Sequence, residues 1–371
     1  MRIARFPAVP CLWLLPLLPL LACGDEPLPP VPAAASVSAL AAQQAIPSFE
    51  EQLEKYRWTT IKIPEQIAFS QSTDVRTWLA QTGRASQDIT GPIRLMFSRD
   101  VFLRAGVSLT SDVPLFISTP ATLTLSERSA ITGTADLFFQ VSKLILPPSA
   151  SDRMAPYVGI SQTASPVVRG SDGTAGTQGS SATCSPTQPP VAGGDGGPGG
   201  TGPKGQDSAD VYFWVSQLIP YPSFPSPVLV GTDGKPGAQG GVGGAGGGGG
   251  NGVECPDFSF SGAKGGRGGV GGKGGDGGKA GNITVYYMNK ERSNLRFLSL
   301  SAEGGKPGAA GEAGLPGAGG QPGSSGGQPG AHGAPGTVGT AGLPGSSGTV
   351  TLTPFFTTAP CCAPPGIDPP R

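Results

Sequence analysis

The sequence predicts an all-β protein: a parallel, β-helix-like solenoid whose coils carry an inserted bundle of polyproline II or polyglycine II helices. Three observations predict it. Between residues 59 and 146, short stretches rich in β-branched and aromatic residues, such as "IKIPEQIAF" and "ADLFFQVSKLIL", are broken at close intervals by Gly, Pro, Ser and Asp, the pattern of strands joined by tight corners. One strand-like segment recurs: "ADLFFQVSKLIL" (135–146) and "ADVYFWVSQLIP" (209–220) share seven of twelve residues, the mark of stacked structural repeats. Glycine then falls on every third residue through three long inserts, at 170–205, 231–281 and 304–348.

Taken in order, the chain opens with Arg2 and Arg5, an apolar run "CLWLLPLLPLL" and "LLAC" at 20–23, the order of a secretory signal and too broken by proline to span a bilayer. Leu20-Leu21-Ala22-Cys23-Gly24 resembles the bacterial lipobox. The resemblance implies a signal peptide over 1–22, cleavage before Cys23, and acyl chains such as palmitate on that cysteine, each buried methylene adding roughly 0.8 kcal/mol of membrane attachment. Gly24, where an aspartate would hold the protein in the inner membrane, implies the outer membrane or cell surface of a bacterial envelope. A plain signal peptide with a chance cysteine is the alternative. Residues 23–47, rich in Pro, Ala and Ser, read as a tether.

Residues 48–57, "SFEEQLEKYR", suit a short helix capped by Ser48 with Glu50, Glu51 and Glu54 in solvent. From there to 169 the pattern is that of strands, without helical period, so neither a βαβ unit nor a helix bundle is expected. "SPVVRGSDG" (165–173) and "SPVLVGTDG" (226–234) repeat one another, with echoes in "NITVYYM" from Asn282 and "GTVTLT" from Gly348. Each unit enters and leaves on a strand and then opens a glycine run. Without the runs, 206–230 and 282–303 remain, each about one coil of a solenoid. This resembles right-handed parallel β-helices, and it places all three arms on one corner, side by side over 170–348. Residues 349–371 give a last strand and a Pro-rich tail.

Within each arm the register breaks near the middle, as in an out-and-back hairpin. A three-residue period is that of polyproline II, whose backbone has no internal hydrogen bonds; glycine on one edge lets a second backbone approach and satisfy it. A run of 22 residues, 231–252, reaches roughly 68 Å at that rise. Arm three, with "GKPGAAGEAGLPG", looks collagen-like. Arms one and two, with "GGDGGPGG" and "GGRGGVGGKGGDGG", carry two glycines per triplet and resemble the polyglycine II bundles of springtail antifreeze proteins and phage adhesin tips. The expectation is a single-chain bundle of arms one and two with arm three outside it; a collagen-like trimer is the alternative.

Of six cysteines, Cys11 leaves with the signal and Cys23 takes the lipid. Cys184, Cys255, Cys361 and Cys362 remain, with three possible disulfide pairings. Cys184 and Cys255 sit in the breaks of arms one and two, so parallel hairpins would bring them together, leaving Cys361 and Cys362 to each other or to a partner; a bridge from either tip to the C-terminal pair stays open.

Little in the chain points to catalysis. With 25 basic and 25 acidic residues nothing favours nucleic acid. The GxGxxG matches are products of the triplet register and open no helix after a strand. The one histidine, His332, excludes histidine triads and multi-histidine metal sites, and no metal or cofactor is expected. Asp172 and Asp233, in equivalent "[ST]DG" sites, fit corner-capping Asx turns better than calcium ligands. Asp100, Arg104, Glu127, Arg128, Asp136 and Lys143 follow no repeated spacing that would make them a glycosidase or lyase site, and Tyr212, Trp214, Tyr221, Phe224, Tyr286 and Tyr287 suit the core better than sugar stacking. The resulting expectation is a lipid-anchored, non-catalytic surface protein with a structural or adhesive role, contacting glycan or extracellular matrix. A polysaccharide-binding or -degrading β-helix and an ice-binding polyproline II bundle are the alternatives.

Overall fold

In the computed structural model the described residues are 48–85, 89–146, 155–160, 168–220, 227–324 and 327–355. Strands dominate: β1 (Thr59–Ile63), β2 (Ile67–Phe69), β3 (Thr73–Asp74), β4 (Ile93–Phe97), β5 (Val101–Leu103), β6 (Ser108–Ser111), β7 (Leu115–Leu125), β8 (Ala130–Gly133), β9 (Leu137–Ile145), β10 (Tyr157–Ile160), β11 (Val211–Ile219), β12 (Val228–Gly231), β13 (Ile283–Met288), β14 (Leu298–Ser301) and β15 (Val350–Phe355). They form two sheets, one ordered β1-β4-β7-β9-β11-β13-β15 with β2 and β5 beside it, the other β14-β12-β10-β8-β6-β3. Every pairing within them is parallel. Two all-parallel sheets stacked in register are consistent with a parallel β-solenoid.

Register follows the sequence repeat. Val211 pairs Leu137 and continues in step to Ile219 with Ile145, so like residues stack on like. Phe139 lies on Phe213 with ring centroids 4.6 Å apart, inside a core that takes Ile93, Leu115, Leu137, Val211 and Ile283 from one sheet and Ile131, Val158, Val230 and Leu298 from the other. Alternation along each strand sends the intervening residues outward. On the larger sheet these include the aromatics Phe116, Phe138, Tyr212 and Tyr286, which are buried too. Helix α1 (Phe49–Leu53) lays Phe49 edge-on against Phe116, Phe138 and Tyr286 at 6.0, 6.3 and 5.7 Å. Tyr56 and Trp58 extend the cover over Phe138. The helix starts at a capping box, Ser48 accepting from the Glu51 amide while Glu51 accepts from that of Ser48.

A second helix, α2 (Val75–Gln81), breaks the expected run of strands. Asp74 caps it by accepting from the amides of Arg76 and Thr77, and Val75 and Leu79, one turn apart, are its buried residues. The three arms leave from one kind of corner, after β10, β12 and β14 of the smaller sheet and before β11, β13 and β15 of the larger.

Candidate functional site

The arms carry the least ordinary surface of the molecule. Each consists of an outgoing and a returning limb: 170–182 and 191–208, 231–252 and 260–281, 304–323 and 327–348. Outgoing limbs form one layer and returning limbs a second. Within a layer the limbs run parallel, and each arm donates to the next. Gly170, Gly173, Gly176 and Gly179 donate to the carbonyls of Gln239, Val242, Ala245 and Gly248; Gly240, Gly243 and Gly246 donate to Ala309, Glu312 and Leu315; Gly268 and Gly271 donate to Ala334 and Thr337. Between layers the limbs are antiparallel and each donates back to the one before it, as in Gly197 to Thr174, Gly244 to Gly197, Gly269 to Gly244, Gly314 to Gly269 and Gly336 to Gly314, at 2.7–3.1 Å. Arm two therefore lies in the middle, flanked by arms one and three. The expectation that arm three lies outside the bundle is wrong: both of its limbs are bonded into it.

Glycine content follows the number of neighbours a limb donates to. The returning limb of arm one and both limbs of arm two donate at two adjacent residues per triplet, to two different limbs, and they carry paired glycines; the other three limbs donate at one. The cause is steric. A Cβ on Gly243 would lie 2.6 Å from the carbonyl carbon of Gly269, and one on Gly244 would lie 2.6 Å from that of Thr174, inside the about 3.3–3.6 Å of even a close carbon–oxygen contact. Lys235 and Ala238, next to the body, and Ala263, next to the tip, make the same back-bonds with a side chain present.

The third residue of each triplet faces out, giving two broad faces with side chains in columns. On the returning-limb face the middle column is Lys264, Arg267, Val270, Lys273, Asp276 and Lys279, exposed or half-exposed while the residues between them are mostly buried glycines. Acceptors on one arm satisfy outward amides of the next: Asp195 takes the Arg267 amide (2.7 Å), Asp207 that of Lys279 (2.8 Å), Asp276 that of Leu343 (2.8 Å) and Asn251 that of Gln321 (2.9 Å). Asp172 and Asp233 belong to this set, accepting from the Val242 and Glu303 amides at 3.0 and 2.8 Å. Through these bonds they bridge neighbouring arms. Residues three apart share a face, which produces the ion pairs Arg169–Asp172, Lys204–Asp207 and Lys273–Asp276, exposed and individually weak. The Lys204 ammonium, then the Lys279 amide, holds the Asp207 carboxyl below its ordinary pKa; the Leu343 amide, then Lys273, does so for Asp276.

At the tips of arms one and two, Cys184 and Cys255 form a disulfide with Cα atoms 5.6 Å apart, one of the pairings the sequence left open. Cys23, Cys361 and Cys362, with the signal and tether, lie outside the described residues, as do Tyr221 and Phe224. His332 is exposed on the returning limb of arm three. Among the described residues no three His, Cys, Asp or Glu side chains group as metal ligands, and no described helix is long and apolar enough to cross a membrane.

The residues weighed for catalysis on the body are dispersed or structurally engaged. Asp136 accepts from the Tyr56 hydroxyl (2.6 Å) and the Asp210 amide (2.9 Å), fastening the α1 segment to the sheet. Asp100 accepts from the Thr122 amide at 3.0 Å where β7 shifts register. Arg128 turns a corner with φ 56°, and Lys143 is exposed on β9. Tyr212 and Tyr286 are buried under α1, Tyr287 is in the core, and Trp214 stacks on Phe355 at 4.6 Å; none of the four offers a free stacking platform. One open cavity of about 440 Å³ lies beside Phe69, Asp74 and Trp78. No family model, curated protein or solved structure matches the chain.

Proposed function

We propose that this chain is a lipid-anchored bacterial surface protein, held at the outer membrane through Cys23, whose right-handed β-solenoid displays a single-chain polyglycine II bundle as a rigid, non-catalytic contact surface for glycan or matrix. The observation that carries this reading is the regular outward placement of every third side chain on a two-layer lattice of interlimb hydrogen bonds. At the rise of polyproline II, such side chains recur about every 9 Å along a limb. Each contact is weak, and a repetitive ligand engages many at once, so avidity rather than one deep pocket supplies the binding. Rigidity matters because ordering a flexible glycine-rich arm at the moment of binding would cost conformational entropy at every residue; here that entropy is lost during folding instead.

The test pairs two measurements on the secreted form, residues 24–371. Light scattering on a sizing column is expected to give the mass of one chain; a trimer would replace the bundle reading with a collagen-like stalk. Binding to immobilised envelope polysaccharides and matrix proteins is then compared with that of a variant in which Arg267, Val270 and Lys273 are all alanine. Loss of binding with an unchanged circular dichroism spectrum supports the face as the contact. Equal binding by the folded variant, or release of reducing ends from the polysaccharide, overturns it.

A further inference from the structure

We propose that the two lateral edges of the bundle together form a latent head-to-tail interface for a second copy of this chain, and that prolines on one edge and hydroxyls on the other hold it shut. The inference rests on the single-chain bundle reading and extends it to what limits the bundle's width.

The geometry has a direction. Wherever a limb donates both back and onward, the onward donor is the residue just before the back-donor: Gly193 before Gly194, Gly240 before Gly241, Gly268 before Gly269. In arm three the back-donors run from Gly305 to Gly323 and from Gly330 to Gly348 in steps of three. The residues before them would therefore donate to a fourth arm. Six of these fourteen positions hold proline, Pro307, Pro316, Pro322, Pro329, Pro335 and Pro344, which are all the prolines between 304 and 348; the other eight keep their amide hydrogens. In arms one and two the one proline just before a back-donor is Pro190, at the tip before Val191; Pro198 and Pro236 sit at outward positions and Pro203 at a back-donor position. Proline has no amide hydrogen, and its ring blocks close backbone approach. Placing it along an exposed edge denies a template to an incoming chain.

The opposite edge is where such a chain would be received. The carbonyls of Asp172, Ala175 and Gln178, and of Pro198, Thr201 and Lys204, are the counterparts in arm one of those that accept onward bonds in arms two and three, and among the described residues none has a backbone donor. A second device covers part of this edge. A Cβ on Gly272 would run into the carbonyl of Gly200, in the returning limb before it. The equivalent direction from Gly194 and Gly197 ends instead on Thr177 Oγ1 and Thr174 Oγ1, 2.6 and 2.5 Å from the added Cβ, with Ser171 Oγ in the same place over Gly200. These hydroxyls stand where the carbonyls of a preceding limb would be.

A repeat that passes hydrogen bonds onward without closing on itself generates open chains when one molecule's last edge meets the next one's first. The test is a variant with all six prolines changed to alanine, which restores the amide hydrogens, and a second that adds Ser171→Gly, Thr174→Gly and Thr177→Gly. A third, with only Pro329, Pro335 and Pro344 changed, covers the case in which six changes prevent folding. Sedimentation velocity over a hundredfold range of concentration is expected to show wild type at constant monomer mass, the proline variant rising several-fold in average mass, and the combined variant rising at lower concentration. Folded variants that keep the Cys184–Cys255 disulfide and stay monomeric overturn this proposal alone. Wild type that is trimeric at every concentration overturns the bundle reading and this one with it.

Discussion

Gly272→Ala isolates the steric rule on which the bundle depends. Gly272 lies on the returning limb of arm two, donates to Gly241 at 2.7 Å and accepts from Gly311 at 2.8 Å, so it is fixed from two sides. An added Cβ would overlap the carbonyl oxygen of Gly200 and lie 2.7 Å from its carbon and 2.9 Å from the oxygen of Gly199. Both obstacles are backbone, and no rotamer relieves them. The returning limbs of arms one and two must separate, losing the flanking bonds from Gly199 to Val270 and from Gly202 to Lys273, both 2.8 Å. Two bonds at roughly 0.5–1.5 kcal/mol each, with buried partners left unsatisfied at about 1–3 kcal/mol, oppose a gain of about 0.4–1 kcal/mol from the stiffer unfolded chain. The expected net loss is about 2–4 kcal/mol, which for a folded unit of this size lowers the melting temperature by about 3–7 °C. Val270→Ala, two residues away at a side chain that is 47 % exposed, is the control and should change stability by no more than about 0.5 kcal/mol. Thermal unfolding followed by circular dichroism and calorimetry reads both. If Gly272→Ala melts with the control, the limbs are not packed at backbone contact and the account of paired glycines is wrong.

Three further outcomes follow from the same contacts. Cys184→Ser opens a cross-link spanning 71 residues, worth up to about 4 kcal/mol in the chain-entropy model; limited proteolysis should cut the tips of arms one and two first, and an unchanged cleavage rate would contradict it. Phe49→Ala removes the ring that meets Phe116, Phe138 and Tyr286 and should cost about 3–5 kcal/mol, measured by denaturant titration; a wild-type midpoint would mean that α1 does not seal the sheet. Burial, then the charge of Asp233, pushes the Tyr157 hydroxyl up to about 12, and burial, then Glu50 and Glu51, does the same for Tyr286. A folded-state pKa raised above the unfolded value gives stability that is complete below about pH 10 and is lost as pH rises through about 12, so a melting temperature flat between pH 9 and 12 would refute the burial of both phenols.

The period of the arms was legible because glycine marks each residue whose Cβ would strike a neighbouring backbone. Paired glycines were legible too, but their meaning was not: they count the limbs to which a segment donates, and arm three has single glycines because it ends the lattice rather than because it stands apart. Stacking of 135–146 on 209–220 followed from their identity. Helix α2 was not legible from periodicity because seven residues among strands give too short a period; its signal is Asp74 as a cap, followed by Val75 and Leu79 at helical spacing. Burial of Tyr212 and Tyr286 was legible, but not what buries them: strand alternation turns them to the outer face of the sheet, and the distant segment around Phe49 covers them there. The bonds from Asp172 and Asp233 to the next arm were not legible either: those partners lie 70 residues on, beyond the reach of turn rules.

That interval of about 70 residues recurs along the limbs, from Asp172 with Val242 to Asn251 with Gln321. One coil and its arm therefore constitute a module whose incoming and outgoing bonds have the same form. A gene duplication copying such a module between the second and third would add one column to each face, supply every new donor with an acceptor, and leave the first and last arms as they are. The width of the displayed surface is thus a number that can be inherited and changed in whole steps, with the extra tip cysteine of a copied second module the one contact left without a counterpart.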